Sequence, residues 1–139
     1  MRNSKPPDDL ADRIPKAAAC LQRHPSVVFA YLFGSMAMGK VTPMSDVDIA
    51  VYLSGDSPFG EDKMEILASL VKTLETDDLD VVILNSADLP LQARIIGNKK
   101  VLVDKDPYAR HRFESLVMRK YADFSVKEMQ VFKRRYSLG

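Results

Sequence analysis

The chain has 139 residues, with 20 Lys and Arg against 19 Asp and Glu, so no global field draws it to nucleic acid or to a membrane surface. That length is most simply one domain, residues 1–139, long enough to bury a core without staples. One cysteine, Cys20, excludes an internal disulfide, and two histidines exclude a Cys/His zinc site of the usual spacing. The opening MRNSKPP lacks the apolar stretch of a secretory signal. The longest apolar run, Val27 to Phe33, falls far short of the ~20 residues a membrane helix needs. A soluble protein of the reducing cytoplasm is expected.

Pro6 and Pro7 ahead of Asp8 and Asp9 signal a helix start, with acidic residues near its positive end. Leu10, Ile14, Ala17, Ala18 and Leu21 recur at helical spacing up to His24 and Pro25; Pro15 inside the pattern predicts an irregular first turn. Val27 to Phe33 is β-branched and aromatic, which predicts a strand buried on both faces. Ser35 to Met38 reads as a short helix ended by Gly39, and Asp46 to Leu53 as a second strand. Turn formers fill Ser54 to Gly60. Met64, Leu67, Leu70, Val71 and Leu74 then make a helical stripe over Glu61 to Leu74.

Leu79 to Leu84 is a third apolar strand, Ala87 to Ile96 a helix stopped by Gly97 and Asn98, and Lys100 to Val103 a short edge strand. Asp106 and Pro107 pair an N-cap with proline at the first helical position, opening a helix through Phe113, Leu116, Val117 and Tyr121. Ser125 to Glu128 resembles a capping box and predicts that a final helix restarts there, running through Tyr136. The expected fold is a small α/β (mixed α+β) domain: a mixed sheet of about four strands flanked by helices, with a helical C-terminus.

Between Phe33 and Ile49 the chain reads FGSMAMGKVTPMSDVDI. Side chains alternate along a strand, so Asp46 and Asp48 project one way while Val47, Ile49 and Val51 point into the core. Two carboxylates that close repel each other, which is costly as pure structure and sensible as a cation site. Their oxygens are hard ligands suited to Mg2+ or Mn2+, completed by phosphate oxygens. Asp80 offers a third carboxylate if its strand lies beside Asp46 to Leu53, and it would then accept a proton from an incoming hydroxyl. Asp77 and Asp78 read as the polar turn before it. Gly34 admits close backbone approach to a phosphate, and a helix opening at Ser35 aims free N–H groups and a hydroxyl at it. Phosphates at Gly34 and Ser35, with the carboxylates nearer the α-phosphate, point to nucleotidyl transfer.

Gly-Ser followed ten residues on by Asp-x-Asp resembles the nucleotidyltransferase superfamily that includes DNA polymerase β and kanamycin nucleotidyltransferase. The short length, the absence of an added domain, and the segments from Asp106 to Phe113 and Arg119 to Phe124 look like its minimal branch. That branch is the MNT-type antitoxins, partners of HEPN-domain ribonuclease toxins. The resemblance implies transfer of AMP from ATP to a tyrosine of the toxin. It carries Gly34 and Ser35 over as phosphate binders and Asp46, Asp48 and Asp80 as metal ligands. Met38 stands where many relatives carry arginine. A non-catalytic antidote that masks the toxin, or a small-molecule nucleotidyltransferase, is the alternative; the intact carboxylate set argues against the first, and the lack of an acceptor domain against the second.

The remaining signals read more plainly. Lys99 with Lys100, and Lys133 to Arg135, are solvated faces rather than a nucleic-acid patch, since no aromatics are interleaved with them. His24 and His111 read as structural or surface histidines, and Cys20 as a small buried residue.

Overall fold

The computed structural model describes residues 7–34 and 47–136. The expected short helix from Ser35 to Met38, together with Ser35 and Asp46 themselves, lies outside the described residues. In chain order the elements are α1 (Pro7–Arg23), β1 (Val27–Phe33), β2 (Val47–Leu53), α2 (Gly60–Leu74), β3 (Leu79–Ile83), α3 (Leu89–Gly97), β4 (Lys100–Asp104) and α4 (Pro107–Tyr136). Four strands form one sheet in the order β3-β2-β1-β4. β1 pairs antiparallel with both β2 and β4, whereas β2 pairs parallel with β3. The sheet is therefore mixed, and α2 is the crossover a parallel pair requires.

Helices cover both faces. On one, Ala17 and Leu21 of α1 and Ile66, Leu70 and Leu74 of α2 meet Val47, Ile49, Val51 and Leu53 of β2. On the other, Ala93, Ile95 and Ile96 of α3 and Val117 of α4 pack on Phe29, Tyr31 and Ala50. This explains why β1 and β2 read as continuous apolar runs rather than alternating ones. Phe29 and Tyr52 stack at 4.7 Å between ring centroids, and Phe113 of α4 lies 5.7 and 5.1 Å from them. Full burial of a side chain such as Phe29 contributes roughly 1.5–3 kcal/mol. Among the described residues no helix is long and apolar enough to cross a membrane.

Two expectations need correction. α4 is one uninterrupted helix of 30 residues, with no restart at Ser125. A capping box starts a helix only where the preceding turn has ended, and nothing from Arg119 to Phe124 is a glycine or proline that would end it. α3 opens two residues later than expected, because the Asp88 carboxylate accepts the Leu91 N–H at 3.0 Å with Pro90 in the first turn. Pro15 sits exposed inside α1 without breaking it.

One polar cluster ties α4 to the sheet. The fully buried Tyr31 donates its hydroxyl proton to Glu114 Oε2 at 2.5 Å, and Arg110 reaches the same oxygen at 3.1 Å and Asp104 at 3.0 Å. Lys99 stands 5.7 Å from the centre of the Tyr31 ring and 3.6 Å from Glu114. Burial, seconded by the Glu114 carboxylate, pushes the Tyr31 phenol well above its ordinary value. Burial alone would raise the Glu114 carboxyl too, but the hydrogen bonds from Tyr31 and Arg110, with Lys99 beside them, outweigh it and hold the group below its ordinary value. A depressed carboxylate stabilises the fold above its unfolded pKa, and that contribution is lost as pH falls through the folded one.

Urea unfolding near neutral pH is expected to find Tyr31→Phe less stable by about 1–3 kcal/mol, since a hydrogen bond to a charged group is lost. Glu114→Gln is expected to flatten the acid side of the stability profile below the ordinary carboxylate value of 4.5, where the wild type loses this interaction.

Candidate active site

Three strand ends converge at one edge of the sheet. β1 ends at Phe33, whose Cα partner is Asp48, near the start of β2. Asp48 in turn pairs with Asp80 in the parallel ladder, so the two aspartates sit at the same height on adjacent strands. Alternation puts both on the face that carries Ala50, Tyr52 and Val82, away from Val47, Ile49 and Val81. Adjacent strands lie ~4.8 Å apart, so the carboxylates can share one small ligand. Asp48 is half-buried and Asp80 exposed, which leaves the pair open to solvent on one side.

Gly34 follows directly, with φ +78, in the left-handed region that side chains disfavour. A Cβ at this position would lie 2.4 Å from Asp48 Oδ2 and 3.3 Å from its Cγ. The carboxylate therefore occupies the volume that any other residue would fill. Glycine is favoured here by conformation, and any Cβ would have to push the Asp48 carboxylate aside.

Gly34 and Asp48 line a cavity of about 230 Å3 together with Phe33, Arg94 and Asn98. Arg94 lies in the last turn of α3, and Asn98, the residue after that helix, bonds the Ile95 carbonyl through its amide at 3.1 Å. Sequence reasoning missed both. Nothing local to α3 announces that its C-terminal end abuts the β1 turn, and an arginine there reads as an ordinary favourable charge at a helix terminus. Along the outer side of β3 a second, open groove of about 500 Å3 begins at Asp80.

Asp48 and Asp80 supply hard oxygen donors, in register, beside a turn with room for a phosphate, and this donor set suits Mg2+ or Mn2+. Another group, His24, Asp62 and Glu65, brings its ligand atoms within 4.8 Å of one another. Ser26 N–H approaches His24 Nδ1 at 3.3 Å, and His24 Nε2 faces Glu65 at 3.2 Å. An imidazole that accepts at Nδ1 carries its proton on Nε2, which leaves no lone pair there for a metal. His24 links the turn after α1 to α2.

Residues 16–108 match the family model described as polymerase beta, nucleotidyltransferase. The chain belongs to that family. Solved structures agree on the fold of this nucleotidyltransferase. A chain of a toxin–antitoxin complex with AMP-PNP superposes with a TM-score of 0.70 at 24% identity, over 91% of this chain and 98% of that one. A chain of the complex of tri-AMPylated Shewanella oneidensis HEPN toxin with MNT antitoxin gives 0.68 at 22% identity, over 91% and 99%. A chain of the MntA–HepT toxin–antitoxin complex gives 0.64 at 22% identity, over 92% and 97%. No curated protein matches the sequence.

Gly34→Ala is expected to displace the Asp48 carboxylate and to cost about 1–2 kcal/mol of stability from the left-handed backbone alone. Thermal unfolding would register the second effect. Titration with AMP-PNP would register the first, as affinity at least about tenfold weaker than wild type, equivalent to ~1.4 kcal/mol.

Proposed function

We propose that this nucleotidyltransferase is an antitoxin that transfers AMP from ATP to a tyrosine hydroxyl of a HEPN-domain ribonuclease toxin and so silences it. The observation that carries the reading is the in-register pair Asp48 and Asp80 under the Gly34 turn. Support also comes from the solved complexes of the same fold, one with AMP-PNP and one with a tri-AMPylated HEPN toxin.

In this reading Asp48 and Asp80, with Asp46 from the adjoining segment, hold Mg2+. Bound there, the ion would offset the negative charge of the phosphates and lower the pKa of the acceptor hydroxyl. Gly34 lets its backbone approach the β- and γ-phosphates, Ser35 donates its hydroxyl to them, and Arg94 adds a positive charge from the opposite wall. The acceptor oxygen attacks the α-phosphorus in line. Its new bond forms as the bond from that phosphorus to the bridging oxygen breaks, and pyrophosphate leaves with the electron pair. The phenolic proton passes to Asp80, which is exposed at the mouth of the site. Among the described residues the ground beside Asp80 is an open groove, which fits a partner large enough to complete the site itself. A cytoplasmic location belongs to the same proposal.

Incubation with Mg2+, ATP labelled at the α-phosphate and the HEPN toxin is expected to label the toxin, and chelation by EDTA to abolish labelling. Asp48→Ala and Asp80→Ala should each lower transfer by about 10²–10³-fold or more, the scale of losing a charge-stabilising group at a reacting centre. Toxin that is inhibited but never labelled would leave masking as the mechanism.

A further inference from the structure

β3 is the last strand of the sheet, and among the described residues nothing pairs with its outer side. The backbone bonds fix which of its groups face outward. Val47 N–H bonds the Asp78 carbonyl at 3.0 Å and Leu84 N–H bonds the Val51 carbonyl at 2.8 Å. In a parallel ladder this commits Asp78, Asp80, Val82 and Leu84 to β2. The N–H and C=O of Leu79 and Val81, and the N–H of Ile83, are left pointing away from the sheet. The Ile83 carbonyl is already taken by the amides of Ser86 and Ala87, at 3.2 and 3.1 Å.

The open groove of about 500 Å3 runs along this edge. Phe59 and Lys63 form the wall on the α2 side, Ser86 and Leu91 the wall on the α3 side, and the floor is the strand from Asp80 to Ile83. Its length is about three strand steps, or roughly 10 Å at ~3.3 Å per residue. A bare row of alternating donors and acceptors between two walls is shaped for polypeptide backbone. A compact hydroxylated small molecule offers no matching row of donors and acceptors and would leave this one to water.

We infer that the acceptor enters as an extended segment of the partner protein that adds to the outer edge of β3, with its tyrosine beside Asp80. This rests on the tyrosine-transfer reading above. Side chains of an added strand alternate in step with those of β3, so the residue lying next to Asp80 projects onto the face that carries Asp48 and Asp80. Lateral neighbours on one face have Cβ atoms about 4.5–5.5 Å apart, within easy reach of a tyrosine. Main-chain pairing supplies the hold and the register, and the carboxylates meet whichever hydroxyl that register delivers.

Two measurements test this on the intact chain with the HEPN toxin. In the 15N-labelled protein with AMP-PNP, adding toxin should slow hydrogen exchange at the outward amides of Val81 and Ile83 by at least about tenfold, while Asp80 and Val82, already bonded to β2, change little. Ser86→Trp fills the groove from an exposed position and should raise KM for the toxin by about tenfold, with kcat at saturation and AMP-PNP affinity unchanged; Ser86→Ala should match the wild type. Toxin that is labelled while Val81 and Ile83 exchange at their free rates, or a Ser86→Trp variant with wild-type KM, overturns the docking edge and leaves the transfer reading standing. Toxin that binds but is never labelled fells the transfer reading instead, and protection or its absence at Val81 and Ile83 still decides the edge.

Discussion

Parallel pairing of β2 with β3 is the constraint on which the site depends. A parallel ladder cannot be closed by a hairpin, so the chain must leave the sheet after Leu53, cross over as α2 and return at Leu79. The crossover buries Ile66, Leu70 and Leu74 against the sheet, and that apolar contact fixes the height at which β3 returns. Register then does the chemistry's positioning. A slip of one residue would turn Asp80 to the opposite face and put Leu79 or Val81 beside Asp48. The hydrophobic alternation that buries Val81 and Ile83 is thus the same force that aligns the two carboxylates.

The opposite constraint acts at β1. This strand lies between β2 and β4, and α3 and α4 cover the face that carries Phe29 and Tyr31. The phenol of Tyr31 needs an acceptor once buried, and Glu114 provides it while drawing in Arg110, Asp104 and Lys99. These charged side chains are only 14–25% exposed, so their desolvation is opposed by the hydrogen bonds among them, which give α4 one angular setting rather than several. That setting keeps α4 and α3 on the carboxylate face while leaving the strand ends open.

Much of this could be read from residues alone. The apolar runs at Val27 to Phe33 and Asp46 to Leu53 are long and β-branched, and each is a strand within a residue of its expected bounds. The alternation of Asp80 with Leu79, Val81 and Ile83 implies a strand, and there Asp80 pairs with Asp48 in the parallel ladder. The rest was illegible for physical reasons. Arg94 and Asn98 reach the site through packing between α3 and the β1 turn, a contact with no periodic signature. The groove along β3 exists because that strand lies at the edge, and strand order is not written in any single segment. The continuity of α4 through Ser125 turned on the absence of a helix stop, which a local capping pattern outweighed.

α4 has a property that its single label conceals. Thirty residues at ~1.5 Å each make a rod of about 45 Å, longer than the sheet it crosses. Phe113, Val117 and Tyr121 seat its first half, but from Ala122 onward every described side chain is exposed, including Val126, Met129, Val131 and Phe132. The near half draws its stability from the core; the far half buries none of its described side chains, and segments of ~12–15 residues are marginal alone in water. Fraying can begin at the C-terminal end and travel inward to Tyr121 without moving any residue of the carboxylate face. The two halves share one backbone ladder but not one free energy, so the order of the far half can be given or withdrawn almost independently of the rest of the molecule.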